Sequence, residues 1–447
     1  MKHLFTILIA LCALSSFAQK ALPADVIKNI ESRIANGYSP SIAIGIIDKD
    51  GPQYYLFGTK TAEGQPVNEH TIYEIGSISK TFTGILLAQA VLEGKVKTDD
   101  PAQKYLPAAV KLPTKDGKQI TLGHLSDHTS ALARMPTNFD PKDPANPYAD
   151  YTVDQMYTFL NGYTLPREIG SKYEYSNLAQ GLLGHILALK VGSSYEELML
   201  KKIATPLGMK ETKITFDDKM KQNLAMGYSQ GEQVSNWDIP TLAGAGAIRS
   251  SVHDMLIFLQ ANMGLKKSKL LPAMQLSHQV RHDKAGGGTR VGLGWHISKG
   301  AEGDVIWHNG GTGGYRTFAG FVKETGKGVV VLTNSDKGAD DLGFHLLNSD
   351  AKLIEVQVSV KVPESVLESY VGVYELAPNF TITITRTGTQ LFGQATGQEQ
   401  FELFAKSGTE FFLKVVDAQV TFSVKEGKVE SLTLFQGGQQ LPGKRIK

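Results

Sequence analysis

Apolar residues recur at a helical period over residues 25–35, and two strand-like runs, 41–48 and 53–59, flank the turn pair Asp50-Gly51. The pattern predicts a helix followed by a β-hairpin. A short β-branched and aromatic run, 71–75, predicts a strand, Gly76 a turn, and the nearly continuous apolar stretch 82–91 a buried helix. Between residues 99 and 147 Pro and Gly break every period, so only short, irregular elements are expected there. Helical periods return at 153–160, 179–190, 195–203 and 252–263. Strand-like runs follow at 292–297, 304–308, 318–323 and 328–333, then a helical pattern at 342–354. Strands from both ends of this region, with helices between them, predict one α/β (α+β) domain whose sheet is closed by distant parts of the chain.

Near residue 356 the texture changes. Short β-branched and aromatic runs at 380–385, 390–393, 401–405, 410–416, 420–424 and 429–435 are separated by Gly, Asn and Asp turns. They predict a separate small all-β barrel or sandwich over residues 356–447. The start of the chain differs again: Lys2 and His3, an apolar stretch over 4–14, then Ser16-Phe17-Ala18 before Gln19. This predicts a secretory signal peptide over residues 1–18, an exported protein that is periplasmic or secreted, and a catalytic region over 19–355. The apolar stretch is shorter than the roughly 20 residues that span a bilayer, and no later run approaches that length, so no transmembrane segment is expected.

The single cysteine, Cys12, falls in the signal. Disulfides, thiolate catalysis and cysteine metal sites are therefore excluded for the exported chain. A formal charge of +2 over 447 residues gives no basis for nucleic acid or an anionic membrane as partner. His124 and His128 stand four apart, but no Glu follows His124 and no third ligand is evident, so no metal and no cofactor are expected. No Gly-x-Ser-x-Gly elbow is present, which argues against an α/β-hydrolase.

Candidate chemistry concentrates in three places. Ser77-Ile78-Ser79-Lys80 follows the predicted strand and Gly76, which puts Ser77 and Lys80 on the first turn of a helix. Residues three apart on a helix are neighbours, so the amine can reach the hydroxyl. A serine needs such a base, and burial or nearby cations can lower a lysine pKa enough for it to serve. Tyr175-Ser176-Asn177 precedes the 179–190 helix and offers a phenol to shuttle a proton and an amide to hold Lys80 or a substrate carbonyl. His308-Asn309-Gly310-Gly311 ends a strand-like run, where glycines let substrate approach backbone, and the amides of Gly311 and Ser77 are expected to form an oxyanion hole. Each motif alone is weak: Ser349-Asp350-Ala351-Lys352 also fits Ser-x-x-Lys, without a preceding strand and turn.

Taken in order, Ser77-x-x-Lys80, Tyr175-x-Asn177 and His308-x-Gly310 resemble the serine β-lactamase and DD-peptidase superfamily, in particular its class C, D-Ala-D-Ala carboxypeptidase and related-esterase branch. The resemblance covers roughly residues 21–354. It implies an antiparallel sheet flanked by helices with a mostly helical insert, and the C-terminal module resembles a lipocalin-like β domain. It also implies that Ser77 is the acylated nucleophile, Lys80 its activator, Tyr175 the general base, Asn177 a positioner and residues 308–311 the substrate-binding strand. The expected partner is a small-molecule or peptide substrate: a D-amino-acid peptide, a β-lactam or a small ester. A non-catalytic penicillin-binding-like sensor on the same scaffold is the rival. Class C β-lactamases usually carry lysine where this chain has His308. An ordinary imidazole is only about a tenth protonated at pH 7.4, so a permanent charge for a substrate carboxylate is missing there. Arg316 is a candidate replacement.

Overall fold

The computed structural model describes residues 20–61, 64–413, 416 and 418–447. The expected signal peptide lies outside them. Seven strands form one antiparallel sheet in the order Gly51–Gly58, Ser41–Asp48, Lys327–Thr333, Arg316–Val322, Gly303–Gly311, His296–Gly300, Arg290–Val291. The first hairpin of the chain pairs with the last strand of the sheet, Ile42 opposite Thr333 and Ile47 opposite Gly328. Distant segments therefore close the sheet, as the pattern of runs predicts.

Both faces are covered, which is why the central strands read as unbroken apolar runs rather than alternating ones. On one face helices Ala24–Ala35 and Asp340–Leu347 bury Val26, Ile30, Leu342 and Leu346 against Ile42, Ile44, Phe318 and Val331. A buried ion pair between Arg33 and Asp341 joins those two helices. Helix Val252–Met263 covers the other face and leads into the helical insert, which contains Ser79–Leu92 and Asn177–Val191. These last two are rich in apolar residues and are buried on most sides.

Some boundaries differ from expectation for local reasons. The strand expected from residue 292 starts at His296, because Gly294 adopts φ +72° and turns the chain first. The helix expected to reach 354 ends at Leu347, where Asn348 becomes extended. The run 195–203 is an α-helix only to Met199 and continues as a π-helical turn, Leu200–Ala204.

The C-terminal region is a closed eight-stranded barrel from Gly372–Ala377 to Gln439–Arg445, with Tyr374 opposite Arg445 at the seam. The first and last of these strands and the helix Glu364–Tyr370 carried no clear pattern in the sequence. Closure pairs every strand on both sides, so among the described residues the barrel has no edge strand. Its core stacks Tyr370 on Phe422, ring centroids 4.1 Å apart, with Phe411 edge-on.

Candidate active site

Ser77 sits in a 3-10 turn, Gly76–Ile78, immediately before helix Ser79–Leu92, one step ahead of the α-helical position expected. Gly76 has φ +51°, and a Cβ there would stand 2.7 Å from the Gly311 nitrogen. On the other side of the contact, a Cβ at Gly310 would collide with the Ile75 carbonyl. Glycine on both surfaces lets the serine turn and the end of strand Gly303–Gly311 meet backbone to backbone. Thr317 on the neighbouring strand seals the junction by donating to the Ile75 oxygen at 3.0 Å.

Lys80, one helical turn on, is completely buried. Its amine lies 2.9 Å from Ser77 Oγ, 2.9 Å from Asn177 Oδ1 and 2.7 Å from the Ala245 carbonyl oxygen. All three neighbours are neutral oxygens. Burial, and secondly the positive charge of Arg134, hold the Lys80 pKa well below its ordinary value of 10.5. Asn177 is the first residue of helix Asn177–Val191, and Ser176 caps that helix by accepting from the Ala179 amide.

Tyr175 is held just ahead of this cap, with its phenol close enough to Ser77 for the hydroxyl to favour the phenolate. Burial drives its pKa upward from 10, so the phenol is protonated at neutral pH. The ring has Lys80 Nζ 4.7 Å from its centroid and the Arg134 guanidinium 5.0 Å away. His128 stacks on it at 4.6 Å and takes a hydrogen bond from the Ser176 amide, which fixes the backbone between Tyr175 and Asn177.

His308 is buried 6.3 Å from the Tyr175 ring and lies against His296 with the two rings tilted, centroids 4.7 Å apart. Its Nδ1 meets the Asn309 carbonyl oxygen at 2.6 Å. Burial first, then repulsion from the neighbouring groups His296 and Lys80, push its pKa well below 6.5, and the same burial takes His296 to about 4. The imidazole at 308 is thus neutral, and no fixed cation stands on this strand facing Ser77. Arg316 does not supply one, because its guanidinium donates to the Thr312 and Tyr315 carbonyls and ties the turn between two strands.

Asn309 needs a correction as a binding side chain. Alternation along the strand turns it away from His308 to the opposite face, where it donates to Asp340 at 2.5 Å. Burial raises that carboxyl to about 6. His124 completes a capping box with Thr121, and among the described residues no group of three or more potential ligands gathers as a metal site.

Two residues at the serine were not singled out from the sequence, Tyr148 and Trp237, and a main-chain acceptor, the Ala245 carbonyl, had no side-chain signal at all. The aromatic pair comes from loops without periodicity. The only hint was a large aromatic side chain amid turn formers, as in Asn146-Pro147-Tyr148 and Ser235-Asn236-Trp237-Asp238.

Comparison with known proteins agrees with this architecture. The Beta-lactamase family model matches residues 26–349, and a model described as a domain of unknown function, DUF3471, matches 357–445. A β-lactamase of Escherichia coli K12 is 27% identical over 384 residues, covering 76% of this chain and 98% of that protein. The D-alanyl-D-alanine-carboxypeptidase/endopeptidase AmpH of the same organism is 29% identical over 331 residues, covering 70% and 84%. Among solved structures, a β-lactamase/D-alanine carboxypeptidase from Yersinia pestis complexed with citrate superposes with a TM-score of 0.62 at 27% identity, covering 70% of this chain and 92% of that one. The chain belongs to the β-lactamase family, within the serine β-lactamase/DD-peptidase superfamily, and is a serine hydrolase.

Proposed function

We propose that the protein hydrolyses an amide or ester through an acyl-enzyme at Ser77. The observation that carries this reading is the buried Lys80 amine 2.9 Å from the Ser77 hydroxyl, with the Tyr175 ring 4.7 Å from that amine. A neutral amine has two N–H bonds and one lone pair. Asn177 and Ala245 accept the two N–H bonds, which leaves the lone pair for the Ser77 proton. The electrostatics favour Lys80 as the base and Tyr175 as the proton donor, exchanging the emphasis that the resemblance puts on the tyrosine. Ser77 passes its proton to Lys80 as Oγ bonds the acyl carbon, and the amides of Ser77 and Gly311 receive the oxyanion. Tyr175 then gives its proton to the departing oxygen or nitrogen and recovers one from the Lys80 ammonium. Water repeats the sequence to release the acid.

The neutral His308 supports substrates that need no fixed cation on the strand, so esters and amides are favoured over efficient β-lactam turnover. We place the catalytic unit at residues 19–355 and the β module at 356–447, with export directed by 1–18. The test compares nitrocefin, a D-Ala-D-Ala peptide and p-nitrophenyl acetate, with intact mass read after rapid quench. Turnover of at least the ester or the peptide, an acyl adduct on Ser77 and loss of both in Ser77→Ala are expected. Wild-type turnover equal to that of Ser77→Ala would overturn the proposal and favour a binding protein.

A further inference from the structure

The hollow beside Ser77 is narrow, about 30 Å³ or roughly two water molecules, and it opens to solvent past its outer walls. Asn177 and Gly311 also line it, and Tyr175 does not. The proposed mechanism puts the leaving group on the Tyr175 side, and on that reading the hollow takes the other substituent of the attacked carbonyl. Its floor, Ile239, Leu242 and Ala245, is apolar, and its outer walls are the rings of Tyr148 and Trp237, centroids 5.4 Å apart.

The walls are braced. Asn146 Nδ2 donates to Asp238 Oδ2 at 3.0 Å, and the Asp238 amide donates back to Asn146 Oδ1 at 2.8 Å, locking the loop of Tyr148 to the loop of Trp237. The Trp237 peptide is held from behind on both sides. Its amide donates to Glu74 Oε1 at 2.9 Å, and its carbonyl accepts from Arg249 Nη2 at 2.8 Å. Glu74 and Arg249 are themselves a buried pair. Asn236 Nδ2 is anchored on the Tyr315 hydroxyl at 2.8 Å.

From this bracing we infer that Tyr148 and Trp237 form a rigid size filter for the acyl group that Ser77 retains. It admits short, straight, uncharged acyl chains of acetyl to butyryl size, with any bulk of the substrate carried by the leaving group. The inference rests on the acyl-serine reading and narrows it to a substrate class. A mobile aromatic lid would accommodate longer chains by swinging aside. Here both loops are pinned to each other, and the Trp237 loop is also pinned to the body of the domain.

The test measures kcat/KM for p-nitrophenyl acetate, butyrate, hexanoate and octanoate with the whole protein. Wild type is expected to lose at least about tenfold from butyrate to octanoate, in keeping with the discrimination that apolar pocket walls achieve between chain lengths. In Trp237→Ala, the octanoate-to-acetate ratio is expected to rise by about tenfold or more. Asn146→Ala, which removes the tie without touching either ring, is expected to raise the same ratio and serves if Trp237→Ala fails to fold. A flat wild-type chain-length profile, or a ratio unmoved in the folded variants, overturns the filter while an acyl adduct on Ser77 leaves the acyl-serine reading standing. Absence of both ester turnover and adduct overturns the two together.

Discussion

Lys80→Met tests whether the buried amine is uncharged, without any substrate. The side chain is fully buried among three neutral oxygens, and burial and the Arg134 charge both disfavour its cation. In the unfolded chain the same lysine titrates near its ordinary value of about 10.4. Between the lowered folded-state pKa and that value, the unfolded state binds one proton more than the folded state. Wild-type stability therefore climbs with pH across this window, by up to about 1.4 kcal/mol per pH unit, and the slope vanishes below the folded-state pKa. Methionine does not titrate. Its loss of hydrogen bonds, about 1 kcal/mol each or more where an acceptor is orphaned, shifts the comparison by a constant and does not change the slope. The difference in stability, wild type minus Lys80→Met, should accordingly rise as pH climbs from the lowered folded-state pKa toward about 10.4. Urea denaturation followed by tryptophan fluorescence is a suitable assay, because all three tryptophans, Trp237, Trp295 and Trp307, lie within the matched β-lactamase region. A difference that stays level across the window would mean that Lys80 keeps its charge in the fold, and the assignment of the base would fall.

Two further outcomes are open to measurement. Arg134→Ala removes a cation that depresses the Lys80 pKa, so the rising limb of kcat/KM against pH should move to higher pH. An unmoved limb would separate Arg134 from the base. Phe422→Ala empties the stack under Tyr370 and should destabilise the barrel by about 3–5 kcal/mol, measured by its sensitivity to proteolysis, while the tryptophan transition holds its midpoint. A tryptophan midpoint that falls in step would contradict a division near residue 356.

The parts legible in the sequence were those governed by local repetition or by chemistry at fixed spacing. Residues 41–48 and 252–263 announce themselves because each is an apolar run with defined ends, and the structure has a strand and a helix at those positions. Ser77, Lys80, Tyr175, Asn177 and His308 were found because their spacings sit beside recognisable element starts, and the fold brings all five side chains to one place. Asn309 carries the opposite lesson. Its motif position says nothing about facing, and strand alternation sends it to Asp340. Tyr148 and Trp237 stayed hidden because their loops are organised by long-range hydrogen bonds, such as Asn146 with Asp238, which no local pattern encodes. The final barrel strand was missed because Gln439–Arg445 is polar and interrupted by proline and glycine. It is held by pairing with both the first barrel strand and its predecessor.

The pairing of Ile42–Ile47 with Gly328–Thr333 has a temporal consequence for a chain made from its N-terminus. Ser77 is synthesised early, yet the backbone that meets its turn at Gly310 and Gly311, and the strand that closes the sheet behind them, are among the last parts of the domain to emerge. Such wide separation of partners slows assembly. On the proposed mechanism a nascent polypeptide therefore carries Ser77 as an ordinary alcohol until the whole domain is free to close.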